Sequence, residues 1–497
     1  MSTNTEPTGG NGAGAFDLTQ FYQVFFEEAG ENLAAMEQHL LGLDVDAPQD
    51  ETLHAIFRCA HSIKGGAATF GFEDLAALTH TMETLLDRLR RHEMTPSAPM
   101  VDTLLALLQT PSPSGRTDAV MQLIGQILTK LGVPFTLTRR GALIAEMPGR
   151  SQTTDRAIVV HADTIGCMVR ELKDNGRLAL VPVGTFSARF ATGARVRILP
   201  DDTDRFFTGT VMPLKASGHA FGDEIDTQPT SWDDVEVRVD RNVDSRADLE
   251  QLGLNVGDFV ALVASPELTE DGFVVSRHLD GKAGVAVALT LAKVIAERNI
   301  VLPHRTTLMV TITEEVGHGA SHGLPPDVAE LVSVDNAVCA PGQQSLEHGV
   351  TIPMADMHGP FDYYLTRKLC RLAQEKGILH ARDIFRYYRS DVAAAIEAGA
   401  ATRAALVGFG LDGSHGWERT HLDSLEATYL LLYSWLRTPL TFEMWDAQPF
   451  GDLEDFPAEQ PAASEQWVPL SRGEFADPGA ASQGQAWPPA DGAGETS

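Results

Sequence analysis

The chain has 497 residues, a formal net charge of −30 and 4 cysteines. That length allows for about three domains, and so acidic a surface repels a phosphate backbone, which argues against nucleic acid as the main ligand. Cys59, Cys167, Cys339 and Cys370 are scattered without Cys-x-x-Cys spacing, so free thiols are expected rather than a disulfide framework or a thiolate zinc site. No run approaches the ~20 apolar residues of a membrane span. The polar, Gly-rich start MSTNTEPTGGNGAGAFD also lacks the basic and apolar regions of a secretion signal, so a cytoplasmic protein is expected.

After a start at residues 1–16 expected to be disordered, apolar residues recur from Leu18 to about Leu108 at three- and four-residue spacing without β-branched alternation. Breaks near Asp44 to Asp50, at Gly71 and around Thr95 to Pro99 divide this region into short-linked helices, which predicts an all-α antiparallel bundle over residues 17–103. In AIFRCAHSIKGGAATFGF, Ile56, Phe57, Ala60, Ile63, Ala67 and Phe70 can share one buried face, leaving His61 and Lys64 one turn apart on the other. Gly65 and Gly66 each cost ~1 kcal/mol inside a helix, and close approach of another protein's surface is one reason to keep them.

The run His61-Ser62-Ile63-Lys64-Gly65-Gly66-Ala67 resembles the phosphorylation motif of the histidine-phosphotransfer (HPt) domains of CheA-type chemotaxis kinases. In LTHTMETLLDRLR, His80 and Glu83 sit where such domains keep a polar pair. The resemblance implies that His61 takes a phosphoryl group, that Lys64 offers phosphate a point charge, and that Glu83 fixes the imidazole tautomer, with Gly65 and His80 completing the support. The bland alternative is a solvent-facing histidine on a bundle helix; motif, bundle and polar pair together favour phosphotransfer. No nucleotide-binding loops follow Leu108, so a separate histidine kinase or response regulator is the expected phosphate source.

The last bundle helix, PMVDTLLALLQ, runs into TPSPSGRTDAVMQLIGQILTKLGV without a flexible linker, so the two modules are expected to share or abut a helix, the second covering residues 104–441. From Phe135 the period becomes strand-like, and one strand ends in His161-Ala162-Asp163; residues two apart on a strand point the same way, so Asp163 can orient or charge-stabilise His161. Residues 178–264 hold short alternating segments such as ARVRIL and VEVRVD, the pattern of a small inserted β-barrel-like subdomain. Next come Asp280 at a Gly-flanked turn before a helix, the pair Glu314 and Glu315 at the end of VTIT, Asp335 in LVSVDNAV, and His415 in the loop DGSHGWERTH. Strands alternating with helices predict an α/β sandwich with ligand-type side chains at one sheet edge.

An isolated Glu-Glu pair is usually solvated surface. Here it belongs to a larger set: His161, Asp280, Glu315, Asp335 and His415 make a mixed nitrogen and oxygen donor set suited to zinc, cobalt or manganese, with Asp280 placed to bridge two ions. VVHADTIG, HLDGKAG, TEEVGHGA, SVDNA and SHGWE, in this order, resemble the ligand motifs of the tetrahedral-aminopeptidase family of glutamyl-aminopeptidase-like dinuclear metallopeptidases. The resemblance spans roughly Leu104 to Leu440. It implies that His161, Asp280 and Asp335 hold one ion and Asp280, Glu315 and His415 the other. It further implies hydrolysis by a metal-bridging water, with Glu314 as general base and Asp163 supporting catalysis, and a homo-oligomer like the family's ring-like or tetrahedral assemblies. Two features depart from the family: Gly281 and Lys282 stand where a second aspartate usually follows the bridging one, and the loop around His415 lacks the usual Arg-Tyr-x-His form. These variants resemble a branch linked to the osmoprotectant N-acetylglutaminylglutamine amide.

Other residues compete for roles. His318 and His322 have helical i, i+4 spacing but flank Gly319 in a turn; His278 mimics the first ligand motif; His421 is a candidate support for His415; Asp391 lies near substrate in the family yet suits a helix N-cap equally well. The tail from residue 442 to 497 lacks a period and is expected to be a disordered, solubilising segment. The expected protein is a metal-dependent aminopeptidase or amidohydrolase acting on a peptide or small amide, fused to a phosphorelay module, without nucleic acid or membrane partners. The alternatives are a phosphorelay protein whose peptidase-like domain is a non-catalytic binding or oligomerisation scaffold, and a join without traffic between its halves.

Overall fold

A computed structural model describes residues 22–41, 50–70, 72, 75, 79, 97–202 and 205–442; His80, Glu83, the first 16 residues and the tail beyond 442 lie outside the described residues. The chain divides into two compact units, residues 1–99 and 100–497.

In the first unit, α1 (Tyr22–Leu41) and α2 (Asp50–Phe70) pack through two clusters. Phe25 and Ala29 meet Ile63 and Ala67, while Met36 meets Ile56 and Ala60, so the start of one helix lies against the end of the other and the pair is antiparallel. Along α2, Ile56, Ala60, Ile63 and Ala67 are buried, Phe57 and Phe70 half-buried, and His61 exposed with its ring stacked on Phe57. Gly66 has an internal cause, since a Cβ there would come 2.5 Å from the Phe25 ring, whereas a Cβ on Gly65 would meet nothing within 4 Å. Of the paired glycines, only Gly65 leaves room for a partner's approach.

In the second unit, α3 (Ser97–Gln109) runs from the sequence expected to end the bundle, but its Met100, Leu104, Leu107 and Leu108 lie in the core of the sheet body, together with side chains of α4 (Asp118–Lys130). After β1 (Phe135–Leu137) and β2 (Leu143–Met147), the long strand β3 (Gly149–His161) enters the sheet centre. The chain then leaves for a closed six-stranded barrel, β4 (Gly166–Leu172), β5 (Arg177–Val183), β6 (Arg195–Leu199), β7 (Phe207–Pro213), β8 (Val235–Val239) and β9 (Phe259–Leu262), which has a core of its own. The barrel begins at Gly166, ahead of the expected insertion, because GCMVREL continues a β pattern that along the sequence looks like an extension of β3.

The chain returns through β10 (Glu267–Leu268), β11 (Phe273–Ser276) and the buried helix α5 (Leu279–Glu297) to β12 (Leu302–Thr311) and β13 (Val328–Val338). It ends with β14 (Val350–Asp356), β15 (Gly359–Pro360), α6 (Tyr363–Glu375), β16 (His380–Ile384), α7 (Asp391–Glu397), β17 (Arg403–Leu411), β18 (Glu418–His421) and α8 (Leu422–Leu436). The nine-stranded sheet has the order β1-β2-β12-β3-β13-β17-β14-β15, with β16 beside β14. Its centre, β12-β3-β13-β17, is parallel. The β-branched, near-continuously apolar runs AIVV, LMVT and LVSV suit strands covered on both faces. All four central strands deliver their carboxyl ends to one edge of the sheet, where folds of this kind place their sites. The four cysteines are unpaired.

Candidate dinuclear metal centre

His161 is the last residue of β3 and pairs in register with Thr311 at the end of β12; Ser333 pairs with Val159, so Asp335, two residues on, runs alongside His161. Three residues beyond β12 come Glu314 and Glu315, and four beyond β17 comes His415. Asp280 enters from the start of α5, where Gly281 breaks the helix with φ of +74°. A Cβ on Gly281 would lie 2.4 Å from the His161 ring, so glycine is required both by backbone conformation and by the ligand beside it. This accounts for the glycine in the first departure from the family pattern. Next to it, the Lys282 ammonium is buried and donates to the Thr110 carbonyl at 2.7 Å, just past the end of α3.

The two carboxylate oxygens of Asp280 face opposite ways. Oδ1 lies 3.2 Å from His161 Nε2, which is also 3.6 Å from Asp335 Oδ1; Oδ2 lies 3.3 Å from His415 Nε2, which is 3.4 Å from Glu315 Oε2. Donor atoms of His161, Glu314 and Asp335 fall within 4.8 Å of one another, as do those of Asp280, Glu315 and His415. Each imidazole is held by its far nitrogen: His161 Nδ1 lies 3.0 Å from the Asp163 carbonyl and His415 Nδ1 lies 3.0 Å from the Thr185 carbonyl. A ring N–H donated to a carbonyl leaves Nε2 unprotonated and aimed inward, the tautomer that a metal ligand needs.

Asp163 does something other than the expected carboxylate-to-imidazole support. Its main-chain oxygen orients His161, while its side chain, 3.7 Å from the ring, accepts from Glu314 N at 3.1 Å, Glu315 N at 3.3 Å and the Ser114 hydroxyl at 2.5 Å. It thereby fixes the Glu-Glu turn. Asp391 is not the N-cap of α7, which is Ser390; it accepts from Thr311 Oγ1 at 2.7 Å and Ala320 N at 2.8 Å, pinning the far side of the same turn. A Cβ on Gly319 would lie 1.5 Å from the Asp391 oxygen, so that glycine is what admits the clamp.

Sequence reasoning missed Glu418, Asn336 and Tyr388. Glu418 is buried and accepts from Asp280 N at 3.1 Å and His415 N at 2.9 Å, tying two donors from distant segments together. Asn336 donates to Asp280 Oδ2 at 2.7 Å. Glu418 stood inside SHGWE, and its offset of three from His415 was the available signal. The rival histidines lie elsewhere. His278 has φ of +67° and its Nε2 is 3.0 Å from the Leu262 carbonyl. His318 and His322 flank a short 3-10 turn and contribute no donor to either group. His421 does not support His415; its Nδ1 accepts from Asp423 N at 3.1 Å and caps α8, and its Nε2 is 2.7 Å from the Asp271 carbonyl. With His348 and Asp423 it forms a third, surface cluster.

Asp163, Asp280, Glu314, Glu315, Asp335, Asp391 and Glu418 thus crowd around two imidazoles, and the acidities of several of them are shifted. Burial, reinforced by neighbouring carboxylates, holds Glu314 and Asp335 above the usual carboxylate range and pushes Glu315 to about 8 and Glu418 to about 7. Burial opposes charge on the imidazoles too, but Asp280 beside both outweighs it, raising His161 and lifting His415 to about 10, and the same pairs hold Asp280 below its usual range. The pocket is short of positive charge. Two oriented imidazoles, a carboxylate facing both ways and terminal carboxylates on each side fit a pair of divalent cations, which would supply that charge.

The model of the M42 glutamyl aminopeptidase family matches residues 141–431, and that of the Hpt domain matches residues 20–110. A candidate aminopeptidase of Bacillus subtilis, YhfE, is 36% identical over 347 residues, covering 70% of this chain and 100% of that protein. The chemotaxis protein CheA of Klebsiella aerogenes is 58% identical over 91 residues, 18% of this chain but 14% of that protein, so the likeness reaches one module of CheA. Among solved structures, the aminopeptidase APDkam598 of Desulfurococcus kamchatkensis superimposes with a TM-score of 0.64 at 19% identity, over 72% of this chain and 99% of that one. The Pyrococcus horikoshii TET1 peptidase, which assembles into a tetrahedron or a large octahedral shell, gives 0.60 at 21% identity, over 68% and 99%. At those identities the two structures speak for the fold. Together with the family match over more than half the chain, they make this protein a member of the M42 glutamyl aminopeptidase family, a metallo-aminopeptidase-type hydrolase that carries an Hpt phosphotransfer domain at its amino end.

Proposed function

We propose that His161, Asp280 and Asp335 hold one divalent ion and Asp280, Glu315 and His415 the other, with zinc the first choice from the donor set and cobalt or manganese alternatives. The observation that supports this most is Asp280, whose two oxygens face two separate histidine-carboxylate groups. Bound ions supply Lewis acidity toward a substrate carbonyl and make water more acidic. Glu314, beside the first group and kept basic by burial and then by its carboxylate neighbours, takes the proton from the attacking water and returns it to the leaving amine. Asp163, Asp391 and Glu418 hold these groups in place. The substrate is a peptide or small amide with a free amino end.

In the first domain, placed at residues 17–103 with the peptidase from 104 to 441, His61 is the phosphorylation site, and Lys64, Gly65, His80 and Glu83 support it; the partner is a histidine kinase or a response regulator. We place the protein in the cytoplasm, since no helix among the described residues is long and apolar enough to cross a membrane, and as a homo-oligomer. Metal analysis with hydrolysis of aminoacyl anilides tests the peptidase: two ions per chain with activity in the wild type, and two ions without activity in Glu314→Gln, are expected, while a wild type inactive with both ions bound overturns it. Acid-labile phosphate on the full chain, absent from His61→Gln, is the expected result for the phosphorelay, and equal labelling of the variant removes His61 from it.

A further inference from the structure

The segment between β16 and α7 reaches the metal centre with more than the Asp391 clamp. Arg389 donates to the Gly317 carbonyl at 3.2 Å, on the turn that carries Glu314 and Glu315, and to Glu397 at 2.6 Å. One residue earlier, Tyr388 packs its ring against Phe385 at 5.0 Å and against the sheet core, and its main-chain oxygen receives Met357 N at 3.1 Å. Its hydroxyl is buried and has no hydrogen-bond partner among the described residues. The charged groups around that hydroxyl are Asp335, Asp280 and Glu314, an outer ligand, the bridging carboxylate and the proposed base.

Burial without a partner is uncommon for a phenol, because phenylalanine would fill the same space without losing a hydrogen bond to water. Asp335 is the acceptor this hydroxyl approaches, without reaching hydrogen-bond geometry; the Oδ1 of that carboxylate already receives Asn336 N at 2.6 Å and Asn336 Nδ2 at 3.3 Å and faces His161. A scissile carbonyl must lie between the base and the ligand carboxylates, the groups whose charges act on this hydroxyl.

Building on the peptidase reading above, we propose that Tyr388 is a catalytic residue that donates a hydrogen bond to the substrate's carbonyl oxygen as negative charge develops there. The water oxygen bonds to the carbonyl carbon, the C=O π pair moves onto the carbonyl oxygen, and Glu314 takes the water's proton. The C–N bond then breaks as the pair returns to re-form C=O, and Glu314 passes its proton to the amine nitrogen. Tyr388 keeps its own proton throughout. It is unpartnered at rest because its acceptor is the substrate.

The test is Tyr388→Phe in the full chain loaded with both ions, compared with wild type on aminoacyl p-nitroanilides. Loss of a single oxyanion donor costs ~10²–10³-fold in kcat. The expected result is a fall of that size with KM within about 3-fold, unchanged metal content and an unchanged melting temperature. An aminoalkylboronic acid, which becomes tetrahedral when bound, should lose affinity by a similar factor, while the free amino acid product inhibits as before. An unchanged kcat, or activity lost together with bound metal, overturns the proposal, the latter because the hydroxyl would then be serving Asp335. A wild type inactive with both ions bound overturns the peptidase reading and this inference with it, whereas an active wild type matched by the variant overturns this inference alone.

Discussion

Two buried acidic sites in the second unit are built on opposite principles. At the Glu330 site, on β13 near the start of the strand, the carboxylate is enclosed by Arg156 Nε at 3.0 Å, Lys368 Nζ at 3.1 Å, Trp435 Nε1 at 2.9 Å and both the amide and hydroxyl of Thr441 at 2.5 Å. Arg156 and Lys368 also donate to carbonyls of Trp435, Thr438 and Pro439, so the cluster fastens the segment after α8 to the sheet. Although burial alone would raise its pKa, these partners hold Glu330 well below the usual carboxylate range. At the other end of the same strand Asp335 sits among carboxylates, and its pKa moves the opposite way. Removing one partner from a buried acid held by cations strands charge in the core, whereas a crowd of buried acids that outnumbers its cations is a candidate for completion from outside.

Changes at the two ends should therefore separate. The largest effect belongs to Glu314→Gln, for which kcat should fall ~10²–10⁴-fold, as expected for loss of a general base, with the melting temperature and metal content kept; a loss under tenfold would remove Glu314 from the role. Glu330→Ala should do the reverse. By stranding two buried cations it should cost ~3–5 kcal/mol in denaturant unfolding, while the activity of the surviving folded fraction stays within about twofold.

Glu315→Gln sharpens the contrast, because it replaces a buried carboxyl that burial keeps largely protonated in metal-free protein. It should prevent full metal uptake yet leave metal-free protein as stable as wild type or about 1 kcal/mol more so. The pH dependence follows from the same pKa values. Glu315 titrates near 8 in the folded protein, against about 4.3 unfolded, so between these values the folded state holds the extra proton and stability falls as pH rises. Melting of metal-free protein should therefore decline from pH ~5 to ~8, and saturating zinc should flatten that slope; a slope of the opposite sign would mean that the crowded carboxylates are compensated internally. Glu330, with its depressed pKa, contributes stability that is present above pH ~4 and is lost only in strong acid. The smallest effect is expected from Asp391→Asn, about tenfold in kcat, through a looser Glu-Glu turn rather than lost metal.

The donor types and their order were legible along the chain because each motif is local: an apolar strand followed by a turn bearing a ligand-type residue. His161, Asp280, Glu315, Asp335 and His415 could be singled out in this way, and the parallel sheet then gathers them at one edge. Less of the supporting structure was legible. Asp163 carries an HxD spacing that reads as support for His161, yet its carboxylate spans 151 residues to reach Glu314 N. Glu418 reaches back 138 residues to Asp280 N, and Tyr388 looks like any aromatic residue in a loop. The allegiance of α3 was equally hidden, since an amphipathic helix carries the same period whichever core it enters.

Periodicity and spacing by themselves determined the helical start, the strand and helix alternation, the displayed His61 and the set of candidate donors, because those depend on residues a few positions apart. Tertiary structure decided which oxygen faces which imidazole, which carboxylates find a cation and which do not, and where a phenol is left without a partner. Those outcomes depend on distance and dielectric between segments far apart in the chain, and no local pattern records them.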